Sequence, residues 1–110
     1  MIGFPAGVCD GKDISKDIKK ELKEETGYVG KIINISPILK SNPGLTDETV
    51  RVTIVEIDEN LEENKNPRQE LEPSEEIEVI LLRKEEIKNY LLEQSGKGVG
   101  IGVGVWYTFL

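Results

Sequence analysis

Between Asp13 and Gly27 the chain sets apolar residues four apart, Ile14, Ile18 and Leu22, into a charged stretch, DISKDIKKELKEETG. That spacing lines one face of a helix, so the pattern predicts a helix over residues 13–26. Asp13 or Ser15 is suited to cap its start, and Gly27 is a natural C-terminal stop. A helix with a single apolar stripe must bury it against another element. The remainder of the chain has to supply that surface.

Three stretches read as strands. Residues 29–36 alternate in part. Residues 49–57 alternate well, with Val50, Val52 and Ile54 on one face and Arg51, Thr53 and Val55 on the other. Residues 76–82 place Ile77, Val79 and Leu81 on one face. A second helix is expected at 84–94, where Ile87 and Leu91 are four apart. Asn-Pro-Gly chemistry marks 41–47 as a turn or loop. Residues 58–75 form a long acidic connection interrupted by Pro67 and Pro73, of a length that makes it functional or mobile. The segment 96–110 differs in kind, alternating Gly and Val before an apolar cluster. It reads as an edge strand of weak register or as a tail not fitted to the fold.

With 110 residues there is room for one small domain, and its few aromatics leave Ile, Leu and Val to make the core. A net charge of −7 repels phosphate backbones and argues against nucleic-acid polymers as partners. No apolar run has transmembrane length, and no basic-then-apolar leader is seen at the start. A single cysteine, Cys9, allows no internal disulfide, so a reducing compartment, cytoplasm or nucleus, is expected. The chain has no histidine, which rules out histidine-based nucleophilic dyads and histidine-bound zinc. Chemistry falls to carboxylates, lysines, hydroxyls and hard cations such as magnesium, manganese or calcium.

Glu21, Glu24 and Glu25 share one side of the first helix, Glu25 about 40° from Glu21 and Glu24 about 60° the other way. Glu21 and Glu25 are like charges at i, i+4, a pair that costs a few tenths of a kcal/mol unless a cation neutralises it. The ordinary alternative is a solvated face, since Lys16, Lys19, Lys20 and Lys23 surround these glutamates and Lys20–Glu24 is itself an i, i+4 pair.

The letters around the glutamates resemble a known signature. Lys20-Glu21-Leu22-Lys23-Glu24-Glu25-Thr26-Gly27-Tyr28 is similar to the second half of the Nudix box, R-E-U-x-E-E-x-G-U with U bulky and apolar. Phe4-Pro5-Ala6-Gly7 resembles the lead-in of the ADP-ribose/ADP-sugar pyrophosphatase branch. Pro43, sixteen residues after Gly27, stands where that branch carries a proline. The resemblance runs from about residue 2 to residue 93.

It implies an α/β fold, a Nudix-type α/β/α sandwich with a mixed sheet. The domain, residues 1–95, would be incomplete, lacking N-terminal strands and followed by the atypical tail 96–110. Glu21, Glu24, Glu25 and the carbonyl of Ala6 would belong to a magnesium centre, with manganese as a substitute. Glu75 would deprotonate the attacking water, with Glu24 beside it in the catalytic cluster. Asn42, Pro43, Gly44 and Leu45 would line the substrate pocket. The implied reaction is hydrolysis of the pyrophosphate of ADP-ribose or a related ADP-sugar to AMP and a sugar phosphate. The implied partners are that small nucleoside diphosphate sugar and a second copy of the chain in a homodimer. The competing expectation is an inactive truncated remnant that binds metal or a partner protein.

The sequence departs from the family pattern at named places. The box is one residue short between Gly7 and Lys20, Lys12 stands where its first glutamate belongs, Lys20 replaces its arginine, and Gly3 precedes the lead-in where relatives carry glutamate. Lysine in place of arginine gives up a planar fork that can hold a carboxylate by two bonds.

Overall fold

A computed structural model describes residues 1–9 and 12–109. In chain order these form α1 (Ile14–Thr26), β1 (Lys31–Ile35), β2 (Leu39–Lys40), β3 (Thr49–Val50), β4 (Thr53–Glu56), a 3₁₀ turn (Glu62–Asn64), α2 (Lys84–Gly96) and α3 (Val103–Thr108). The result is α/β with short sheets. Among the described residues they are two separate antiparallel pairs, β1–β4 and β2–β3, rather than the expected mixed sheet. The chain divides into two compact units, Gly7–Glu75 and Met1–Ala6 with Glu76–Leu110.

In the first unit, α1 forms where the apolar spacing places it. Asp13 caps it by accepting a hydrogen bond from the Lys16 N–H at 3.1 Å. Gly27 ends it in the left-handed region at φ 81°, its N–H donating to the Lys23 carbonyl. A side chain at Gly27 would also strike the backbone of Pro67 and Arg68.

The strand expected over 49–57 is divided, because its partner runs into Pro37. Lacking an N–H, Pro37 cannot extend the ladder beyond Ser36. Ser36 takes up the loose ends itself. Its N–H donates to the Val52 carbonyl at 2.9 Å, and its hydroxyl accepts from the Val52 N–H at 2.8 Å. One extra residue in β1, Ile33, breaks the β1–β4 register as a bulge between Ile32 and Asn34. The side of β4 that is half-buried carries Thr53 and Val55, whereas Ile54 is 61% exposed. The 41–47 turn forms as expected, with the Asn42 carbonyl accepting from the N–H groups of Leu45 and Thr46.

In the second unit the strand expected at 76–82 is not made. Ile77 and Val79 are half-buried in the predicted alternation, but Leu81 is 68% exposed and no ladder runs along the segment. Alternation provides a face, but a strand also needs a neighbour to pair with. α2 begins at Lys84 as expected and runs two residues further, to Gly96, burying Leu91 to 2% exposure. The Gly-Val tail makes one parallel bridge, Ile2 to Ile101, rather than an edge strand. It then turns into α3, anchored by buried Val105. Tertiary burial of one side chain overrides the low helix propensity of glycine and valine here. Phe4 and Phe109 meet edge to face with ring centres 6.2 Å apart. No helix among the described residues is long and apolar enough to cross a membrane.

Candidate metal centre

The last two turns of α1 carry Glu21, Glu24 and Glu25. Glu25 is buried, while Glu21 and Glu24 are partly covered. The carboxyl of Glu21 is held above the usual glutamate range. Burial is the main cause, followed by the charges of Glu24 and Glu25 and, least, that of Glu75; Lys20 acts in the opposite sense. Four carboxylates therefore act within one local field. The Lys20–Glu24 pair expected from the sequence is present at 3.9 Å, on the exposed flank of the helix.

The connection 58–75 is what fixes this end of α1. Helices leave their last carbonyls without partners. Here the Glu24 carbonyl accepts from the Glu70 N–H at 2.7 Å, and the Glu25 carbonyl accepts from the Gln69 side-chain amide at 2.7 Å. Asn64, 5% exposed, anchors the base of this strap. Its side chain exchanges two hydrogen bonds with the backbone of Val29, at 2.8 and 2.9 Å, and donates a third to the Asp58 carbonyl at 2.8 Å. The strap ends at Glu75, whose carboxylate accepts from the Glu72 N–H at 3.0 Å and closes a tight turn. Asn64, Gln69 and Glu70 were not among the expected functional residues. In the polar run ENLEENKNPRQE nothing distinguishes the one asparagine that becomes buried.

Gly7 lies against the Glu21 side chain. A Cβ at Gly7 would overlap the Glu21 side chain and sit 2.6 Å from Oε2. Ala6 falls in the other compact unit, in exposed coil. Asn42, Pro43, Gly44 and Leu45 form an exposed turn, with Gly44 at φ 82° and Leu45 85% exposed. Lys12 is exposed and immediately precedes the cap of α1.

The donor set suits a hard divalent cation: carboxylates without soft ligands, whose mutual repulsion already favours binding a positive partner at Glu21. Among the described residues no three acidic or cysteine side chains close on a single ion position. Magnesium is commonly held by one or two carboxylates, with water and substrate oxygens completing its shell, so a smaller protein ligand set still fits it.

No family model matches the chain. Curated proteins do. It is 35% identical over 103 residues to an uncharacterised Nudix hydrolase of Schizosaccharomyces pombe, covering 93% of this chain and 50% of that protein. It is 39% identical over 98 residues to an ADP-ribose pyrophosphatase of Saccharomyces cerevisiae, covering 88% and 42%. To an ADP-sugar pyrophosphatase of Mus musculus it is 36% identical over 85 residues, covering 76% and 39%. The chain thus spans half or less of the length of each of these relatives. Over most of its own length it is a homologue of Nudix hydrolases, among them ADP-ribose and ADP-sugar pyrophosphatases.

Proposed function

We propose that this chain carries the metal-binding and water-activating part of a Nudix hydrolase that cleaves the pyrophosphate of ADP-ribose or a related ADP-sugar. The observation that carries this reading is the set Glu21, Glu24 and Glu25 on the last two turns of α1, in a stretch homologous to enzymes named for that activity. Glu21 and Glu25 would hold magnesium, or manganese in its place, with Glu24 beside them. A bound divalent cation would neutralise the pyrophosphate and lower the pKa of a coordinated water.

Glu75 is the base. It accepts a proton from the attacking water as the new phosphorus–oxygen bond forms, and the bond to the bridging oxygen breaks. One product leaves as AMP and the other as a sugar phosphate. The turn of Asn42, Pro43, Gly44 and Leu45 borders the substrate. The test is AMP release from ADP-ribose by the purified chain, with and without magnesium. Magnesium-dependent release that is lost in Glu75→Gln supports the reading, and release that survives without magnesium opposes it.

One observation favours a second reading, that of a chain that binds a cation without turnover. No three carboxylates among the described residues close on one ion. A misplacement of about 1 Å is enough to cost a hundredfold in rate. Manganese binding with no AMP release would select it.

A further inference from the structure

Glycines in this chain are required for different reasons. Gly44 and Gly98 have positive φ, at 82° and 87°, and open space where a side chain would go, so backbone conformation explains them. Gly7 is the reverse. Its φ lies outside the left-handed region, so no positive φ reserves the position for glycine. The space for a side chain, however, is filled by Cγ, Cδ and Oε2 of Glu21.

We propose that Gly7 is a positioning residue of the carboxylate centre, its bare backbone forming the wall that sets the direction of the Glu21 carboxylate. This rests on the reading of Glu21 as a cation ligand. Glu21 is placed from two sides. Its helix is fixed at the C-terminal end by the hydrogen bonds from Gln69 and Glu70, which leaves the backbone of residue 21 little freedom to retreat. Its side chain is stopped by the loop at Gly7. A methyl group at position 7 therefore meets the flexible end of a glutamate rather than backbone. The fold can accommodate it by turning that side chain away, and the carboxylate then leaves its position. The expected signature is a chain that folds normally and holds its cation badly.

The experiment uses Gly7→Ala in the full chain, with manganese as the probe. Binding is followed by loss of the free-ion electron paramagnetic resonance signal, and folding by circular dichroism. The expected result is native ellipticity with manganese affinity lowered about 10–100-fold, the range for groups that orient metal ligands rather than bind the metal.

A rescue separates positioning from general damage. Glu21→Asp alone withdraws the carboxylate by one methylene and weakens binding. Combined with Gly7→Ala it also leaves room for the methyl, so the double variant binds better than the product of the two single losses predicts. Unchanged manganese affinity in Gly7→Ala overturns the proposal, as do strictly additive losses in the double variant. An unfolded Gly7→Ala overturns it too, because the glycine would then serve the fold. If the parent chain binds no manganese, the functional reading itself fails and the proposal falls with it. Parent binding with an indifferent Gly7→Ala defeats the proposal alone.

Discussion

Helices α1 and α2 are both thirteen residues long, yet they are secured by different means. α1 has hydrogen-bonded ends. Asp13 caps the start, Gly27 closes the finish, and two late carbonyls are taken by Gln69 and Glu70, more than forty positions away in sequence. At its start α2 has Arg83, whose side chain makes no capping bond, and its finish is closed by its own following residues, Lys97 to Val99. What it has instead is Leu91, the most deeply buried hydrophobic side chain described. Packing sets where a helix lies, whereas bonds at its ends also fix its rotation and its last turn. The carboxylates sit on α1, the helix with bonded ends. That is what a ligand set needs, since a fraction of an ångström separates a useful arrangement from a loose one.

The largest expected effect tests the packing side of this contrast. Leu91→Ala should cost about 2–5 kcal/mol, as large-to-small changes at fully buried sites do. Urea unfolding followed by the fluorescence of Trp106, the single tryptophan, measures it in the same unit. A loss below about 1 kcal/mol would show that α2 does not depend on this one anchor.

Next comes the chemistry on α1. Glu21→Gln with Glu25→Gln should weaken manganese binding by at least about 100-fold, beyond what residues that merely orient ligands contribute. Isothermal titration checks it, and an unchanged isotherm would remove the metal centre from this helix.

A smaller and sharper pair addresses the helix ends. Asp13→Ala should destabilise the chain by about 1 kcal/mol, the usual worth of an N-cap hydrogen bond. Arg83→Ala, at the same position of α2, should lie within about 0.5 kcal/mol of the parent, as surface changes without a special role do. Equal losses in the two variants would erase the distinction between the helices.

The contrast also explains what could be read in advance. α1 was legible to within a residue because its spacing, cap and stop are all local, and the glutamate cluster followed from that periodicity. Its strap was not, because Asn64, Gln69 and Glu70 act through contacts with residues 24 to 29 that no local pattern records. The alternation at 76–82 was legible as a face but misleading as a strand, since a ladder depends on a partner. Pro37 does predict the end of β1, yet its effect on Arg51 and Val52 appears only once the pairing register is known. In the sequence Gly7 belongs to the lead-in motif Phe4-Pro5-Ala6-Gly7. Its contact with Glu21 joins a loop to a helix, and spacing alone gives no distance between them.

The smallest expected effect has a sign that identifies its cause. The folded chain holds the Glu21 carboxyl above the usual glutamate range through burial first, then Glu24 and Glu25, with Glu75 adding least and Lys20 opposing. Between the ordinary glutamate value and the raised one, the folded chain binds more protons than the unfolded chain. Stability therefore falls as pH rises through that window, and the full cost remains above it. Glu21→Gln removes both the titration and the i, i+4 repulsion from Glu25. In the metal-free chain it should gain a few tenths of a kcal/mol at neutral pH, a small sum because the site is partly exposed and screened by solvent. The gain should vanish below the ordinary glutamate value, at about pH 3, where the carboxyl is protonated in the folded and unfolded chain alike. Saturating manganese should reverse the order, stabilising the parent by mass action and the variant much less. Urea midpoints at the two pH values, with and without the ion, measure all of this. A gain that is the same at both pH values would mean that lost repulsion at Glu21 is not its source, and that the glutamates of α1 are no more strained than those of any solvated helix.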